Sequence, residues 1–405
     1  MPWRETCRMD ERLKFMAAWL ESEESRSSLC RRHGISRKTG YKWAARYEAD
    51  PASGLMERSH APRMVPHKID PEMAELIVAL RRQRPHWGPV KLRQVLSERA
   101  PEFSWPAAST MGDLLRREGL VKRRRRRSSA VVQSQPFVPV TQPNDTWCLD
   151  FKGWFRTGDG QRCDPLTVSD ACSRYLLACQ IMPPTGEAVQ PAMERLLREH
   201  GLPWAIRSDN GVPFASTGAG GLSRLAVWWL KLGIRLERIE PGCPQQNGRH
   251  ERMHRTLKQE TLKPPAATSQ SQQDRFDEFR RIYNHERPHA ALGLVPPARL
   301  WRASTRPYPS RLEDPFYPDT HAVRRVRSNG EIKWAGSLVF VSEALVGEIV
   351  GVAETETGDC IVRFAGLDLG YIEASTGKLR RFTAPRPGRR KASHRTKTVT
   401  HHPGL

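Results

Sequence analysis

The spacing of hydrophobic positions changes character twice along the chain, and each stretch predicts different elements. From 10 to 48 apolar residues recur at helical spacing, with Leu13, Met16 and Leu20 on one face. Inside this stretch, Ser28 to Trp43 predicts a short helix with a small residue at Cys30, a turn at Gly34, an apolar plug at Ile35 and an N-cap at Ser36. A second helix rich in Arg and Lys follows. This is a helix-turn-helix pattern. Pro51 to Pro66 contains Pro and Gly and reads as a linker. Three short helical runs come next, within Met73–Leu80, Trp87–Leu96 and Ala108–Gly119. They predict a second unit of the same kind.

From about 141 to 260 strand and helix patterns alternate. Strands are predicted at Thr146–Phe155, Leu166–Ser169, Leu176–Met182, Trp204–Ser208 and Ile234–Ile239. Helices are predicted at Glu187–His200, Leu222–Leu232, Asn247–Leu262 and Asp274–Tyr283. That order implies a mixed sheet flanked by helices. From 320 to 375 short strands with turns at Asn329-Gly and Thr357-Gly predict a small all-β barrel. The expected organisation is therefore multidomain. Two helical DNA-binding units span 1–60 and 61–121, a basic linker 122–140 and an α/β core 141–300. A β-barrel at 318–384 and a basic, disordered tail at 385–405 complete it.

Charge narrows the partners. The chain has 405 residues and a formal net charge of +22, which favours a polyanion. No stretch resembles a membrane span, and the first residues lack the apolar core of a signal peptide. The eight cysteines are scattered without a Cys-x-x-Cys, so they read as small buried hydrophobes in a reducing cytoplasm. The basic residues that follow the cap-turn-plug pattern of the first unit, Arg37, Lys38 and Lys42, are candidates for reading DNA. The run Lys122, Arg123, Arg124, Arg125, Arg126 and Arg127 is a candidate for phosphate contact by counterion release.

Against this basic background three acids stand out. Asp150 lies inside the apolar run Trp147-Cys-Leu-Asp-Phe, where a charge is costly unless it is paired or metal-bound. Asp209 ends a strand in Ser208-Asp-Asn-Gly211, which on its own is also a good turn. Glu251 lies on a helix with Asn247, His254 and Lys258 at helical spacing. Acids in so basic a chain suit a site that holds a cation and a phosphodiester together, as two-metal phosphoryl transfer requires. The same helix carries His250-Glu-Arg-Met-His254, the zinc-peptidase pattern H-E-x-x-H. That alternative needs a third ligand and a cleft that the sequence does not display. Asp145, Asp159, Asp164 and Asp170 lie in turn contexts and read as structural.

The chain resembles bacterial insertion-sequence transposases with a retroviral-integrase-type catalytic core, the DDE recombinases. The motifs that carry the resemblance are Trp147-x-x-Asp150, Asp170-x-x-Ser-Arg-Tyr175, Ser208-Asp-Asn-Gly211 and Asn247-Gly-x-x-Glu251 with Lys258. Tyr283-Asn-x-x-Arg-Pro-His289-x-x-Leu292 and the N-terminal Gly34 to Trp43 run complete it. The resemblance implies an RNase H-like core with Asp150, Asp209 and Glu251 as metal-binding catalytic residues. It implies Mg²⁺ as cofactor, with Mn²⁺ as substitute, and a lysine at 258 on DNA. The expected activity is cleavage at element-end inverted repeats and strand transfer into target DNA, by a homo-oligomer assembled on double-stranded DNA in the bacterial cytoplasm and its nucleoid. The rival is a catalytically inactive DNA-binding regulator of the same descent. The Asp209-to-Glu251 interval is longer than in the family, and Gly218 to Ser223 reads as a surface loop insertion. The zinc domain of retroviral integrases is absent.

Overall fold

A computed structural model describes residues 7–21, 23–57, 69–121, 137–240 and 244–382. The chain divides into two compact units, Met1–Ile69 and Asp70–Leu405.

The first unit holds α1 (Arg8–Glu21), α2 (Arg26–Arg32) and α3 (Arg37–Ala49). Ser25 and Ser36 cap α2 and α3, accepting from Ser28 N at 3.3 Å and Thr39 N at 3.2 Å. Between them Gly34 turns the chain at φ +64°, where a side chain would be strained. Gly40 is required by contact instead. A Cβ there would lie 2.5 Å from Cys30 Sγ, so α2 and α3 cross closely. Phe15, Met16, Leu29, Cys30, Trp43 and Leu55 form the core, with Trp19 and Ile35 packed against it. The α1 face is not the expected one. Leu13 and Leu20 are 50% and 66% exposed, and only Met16 of that trio is buried. The helix turns its aromatic side inward because Phe15 and Trp19 offer more apolar area.

The second unit opens with α4 (Pro71–Gln83), α5 (Pro89–Arg99) and α6 (Ala108–Arg117). Proline starts the first two, where its missing N–H is not needed. Ile77, Leu92, Met111 and Leu115 are buried between them, as the three helical runs predict.

The α/β layer follows. Its elements are β1 (Thr146–Phe151), the β2–β3 hairpin (Phe155–Arg156, Arg162–Cys163), β4 (Pro165–Asp170) and β5 (Leu176–Ile181). Then come α7 (Gly186–His200), β6 (Ala205–Ser208), α8 (Arg224–Lys231) and β7 (Arg235–Arg238). Two helices, α9 (Gly248–Thr261) and α10 (Ser269–His285), end it. The strand order is β5-β4-β1-β6-β7. β5, β4 and β1 pair antiparallel, whereas β1, β6 and β7 pair parallel. One face buries Trp147, Leu149, Leu166 and Val168 with Met193 and Leu197 of α7 and Trp229 of α8. The other buries Leu176 and Cys179 with Met253 and Leu257 of α9 and Phe276 and Phe279 of α10. Alternation along β1 thus sends Trp147 and Leu149 to the first face and Asp150 to the face of α9. Asp170 is structural, as expected, accepting from Asn144 N at 2.8 Å and Ser173 Oγ at 2.7 Å.

Beyond residue 320 lie β8 (Ala322–Arg325), β9 (Glu331–Trp334), β10 (Ser337–Phe340) and β11 (Ile349–Glu354). They are followed by β12 (Cys360–Phe364), β13 (Leu367–Ile372) and β14 (Leu379–Arg380). Short strands and turns fall in this region as expected, with β14 in addition, but their closure into a barrel does not appear. β14-β13-β12-β11-β8 is an open antiparallel sheet, and β9–β10 is a separate hairpin. Closure needs pairing between edges, and edge strand β14 has two residues.

The expected surface loop at 218–223 is also different. Ala219 and Leu222 are buried in one core with Val350, Val362, Phe364 and Leu369 of the C-terminal sheet. At Gly220 a Cβ would come 3.0 Å from Leu369 Cδ2. The small residues that look like a loop are there so that β13 can approach. On α8, Lys231 adds an ion pair to Glu348 at 2.8 Å. Leu222→Ala is therefore expected to destabilise the chain by about 2–5 kcal/mol in urea unfolding. An exposed loop leucine would change it by under about 0.5 kcal/mol.

Candidate active site

Parallel pairing of β1 with β6 sets Cys148 beside Arg207. Two residues further along both strands, the same register brings Asp150 beside Asp209. Asp209 is the first residue beyond β6, and its Oδ1 accepts from Gly211 N at 3.1 Å. A Cβ at Gly211 would meet the same carboxylate at 3.1 Å. Below it, Arg207 and Glu237 form a buried ion pair at 2.7 Å that ties β6 to β7.

Glu251 arrives from α9, in the first helical turn, where the helix dipole favours an anion. What holds this turn in place is a set of hydrogen bonds onto β4. Thr167 Oγ1 lies 2.7 Å from His250 Nε2 and 2.6 Å from His254 Nε2. Ser169 Oγ lies 2.8 Å from His250 Nδ1. Both rings are buried, and burial pushes their pKa down, to about 3 for His250 and about 2 for His254. Both are neutral at pH 7. With both nitrogens of His250 committed to hydroxyls, the zinc-peptidase alternative loses one of its two histidines.

Two further acids, Asp209 and Glu251, bear on Asp150. Its pKa is pushed up to about 7, first by burial, then by the negative charges of Asp209 and Glu251, against a partial offset from Lys152. Lys152, the first residue beyond β1, is a charged neighbour of Asp150 that the motifs do not single out. Mutual repulsion at a half-buried carboxylate is what a cation relieves. The three carboxylates offer oxygen donors, which suit a hard divalent ion.

The other expected residues fall into three groups. Lys258 is exposed near the end of α9, and no ion pair involving it occurs among the described residues. Arg37, Lys38 and Lys42 are all exposed on α3, the second helix of the helix-turn-helix. Residues Lys122 to Arg127 lie outside the described residues. Asn247 ends a 3-10 turn before α9 rather than sharing its face, and it is buried.

Comparison with known families decides the class. Models of the integrase core domain match residues 140–244 and 232–297. A helix-turn-helix domain matches 11–60, and a homeodomain-like domain matches 39–115. An uncharacterized 39.2 kDa protein of insertion element IS476 from Xanthomonas euvesicatoria is 29% identical over 262 residues, covering 64% of this chain and 72% of the relative. A 31.7 kDa uncharacterized protein of insertion element IS407 from Burkholderia multivorans is 29% identical over 190 residues, 46% of this chain and 66% of that protein. The chain is an insertion-sequence transposase. Its integrase-type core makes it an enzyme of DNA transposition. Solved structures similar to the transposase include the magnesium-bound catalytic core of HTLV-2 integrase, at 15% identity and TM-score 0.31. That match covers 39% of this chain and 97% of the integrase. A simian T-cell lymphotropic virus intasome chain is 15% identical, at TM-score 0.36, covering 76% and 100%. No helix among the described residues of the transposase is long and apolar enough to cross a membrane.

The raised pKa of Asp150 has a consequence for stability. Its value in the folded state, about 7, lies above the ordinary 3.8 of an exposed aspartate. The folded chain therefore binds this proton more tightly. The resulting stabilisation is complete below pH 4 and is lost as pH rises through 7. In the metal-free transposase Asp150→Asn should raise the melting temperature at pH 8 and leave it unchanged near pH 4. With the carboxylate 26% exposed, the effect at pH 8 is about 1–3 kcal/mol. A difference that does not vary with pH would contradict this.

Proposed function

We propose that Asp150, Asp209 and Glu251 form one divalent-cation site, taking Mg²⁺ with Mn²⁺ as substitute, for DNA cleavage at element ends and strand transfer into target DNA. The observation that carries this reading is the convergence of two further negative charges on half-buried Asp150. Divalent ions held there supply activation of the attacking oxygen and charge neutralisation at the leaving one. The protein's share is to hold the carboxylates against their repulsion and to aim the DNA. Lys258 lies seven residues beyond Glu251, about 10 Å along the helix axis, where its ammonium meets a phosphate flanking the scissile bond. The α3 residues Arg37, Lys38 and Lys42 enter the major groove and read the inverted repeats. The second helical unit and the basic run 122–127 add phosphate contacts, and the C-terminal sheet and tail hold target DNA. The active form is a homo-oligomer on double-stranded DNA at the bacterial nucleoid.

Glu251→Gln is expected to abolish cleavage and strand transfer and to spare binding to element ends. Normal strand transfer by this variant would refute the cation site. Absence of strand transfer by the unsubstituted chain on its own element ends would favour the inactive regulator.

Lys258→Arg should keep much of the activity, because the charge survives. Lys258→Glu should lose it, together with crosslinking from position 258 to the terminal nucleotides. Full activity in Lys258→Glu without such a crosslink would reduce Lys258 to a solvated surface residue.

Arg37→Ala should weaken specific binding to element ends by about 1–3 kcal/mol if the side chain reads a base edge. An unaltered footprint on the inverted repeats would move recognition elsewhere.

A further inference from the structure

The hydrogen bonds around Thr167 assign the protons on both buried histidines. Its hydroxyl has one proton and three close neighbours. These are Asp150 O at 3.0 Å, His250 Nε2 at 2.7 Å and His254 Nε2 at 2.6 Å. A carbonyl only accepts. One arrangement makes all three contacts hydrogen bonds: the hydroxyl donates to Asp150 O, and each Nε2–H donates to the hydroxyl. Both rings then carry their proton on Nε2 and a lone pair on Nδ1. For His250 that lone pair accepts from Ser169 Oγ at 2.8 Å. For His254 it makes no hydrogen bond among the described residues. It faces Asp150 Oδ2 at 3.6 Å, beyond hydrogen-bond range.

A bare lone pair 3.6 Å from a carboxylate oxygen is a candidate ligand position. The separation of 3.6 Å suits two donors on one ion, each about 2.0–2.2 Å from it. The backbone points to the same pairing independently. Glu251 and His254 stand at i and i+3, the Glu-x-x-His spacing by which one helix offers a carboxylate and an imidazole to a single metal. The ring is held in a fixed orientation by Thr167, as ligating histidines are by the partner of their other nitrogen.

We propose that His254 Nδ1 is a fourth ligand, beside Asp150, of a divalent ion in this site. The proposal rests on the carboxylate site above and adds to it. It makes the site one of mixed nitrogen and oxygen donors. Imidazole favours transition ions over Mg²⁺, so Mn²⁺ binds with a preference that three carboxylates alone would not produce. His250 takes no part, since both its nitrogens are engaged.

The test uses the full chain with Mn²⁺ alone, without DNA, and reads nitrogen coupling by pulsed electron paramagnetic resonance. The expected result is ¹⁴N coupling of imidazole type in the unsubstituted protein, converted to ¹⁵N coupling by histidine-selective labelling. His254→Gln keeps an amide N–H for Thr167 and removes the lone pair. It should lose the coupling and about tenfold in Mn²⁺ affinity, with a smaller loss for Mg²⁺. His250→Gln should keep the coupling. Bound Mn²⁺ without histidine coupling in the unsubstituted protein overturns the proposal and leaves the carboxylate site standing. Coupling that survives His254→Gln overturns it too. Mn²⁺ affinity equal in the unsubstituted chain and in Asp150→Asn would overturn both readings. The unsubstituted spectrum decides the matter even if His254→Gln fails to fold.

Discussion

The burial of the Asp150 carboxylate beside Asp209 and Glu251 is the constraint that the core has to hold. Each acid comes from a different element, and each element would move away from the others if its own packing allowed. β1 and β6 are locked by a parallel ladder inside a fully buried layer. The Arg207–Glu237 pair, buried with both partners in place, holds β6 against β7. Breaking one partner of such a pair leaves an uncompensated charge, which makes it a rigid strut rather than a source of net stability. The cost of charging Asp150 beside two other acids is what a cation bound there, as proposed above, would offset.

Helix α9 has to serve two opposite environments. The flank next to His254 carries Glu251 and Lys258, both exposed. Its inner side carries Met253 and Leu257 into the core beside α10, and His250 and His254 onto β4. The apolar contacts fix the distance of the helix from the sheet. The hydroxyl–imidazole bonds fix its position along β4, since directional bonds resist sliding in a way that apolar contacts do not. The buried histidines thereby determine where Glu251 stands.

The C-terminal sheet joins the core through a contact of small residues. Ala219, Gly220 and Leu222 pack against β12 and β13, and Lys231 reaches Glu348. The segment that lengthens the Asp209-to-Glu251 interval is thus a docking element. It leaves the two acids in register because it returns to the sheet through α8 and β7, with Gly233 turning the chain between them.

Much of this was legible in the sequence. Period and turn chemistry located nearly every helix and strand to within a few residues, because local burial patterns and caps such as Ser36 are encoded in neighbouring residues. Asp150 was conspicuous as a charge in an apolar strand, and Asp209 and Glu251 by their surroundings. Three features depended on distant partners and stayed invisible. The α1 face followed from which side chains Trp43 and Leu29 could cover. The loop at 218–223 looked exposed because its apolar partner lies more than a hundred residues away. His250 and His254 looked like a ligand pair one turn apart. Only the placement of Thr167 and Ser169 across from them decided which ring nitrogens are spent and which one is left free beside Asp150.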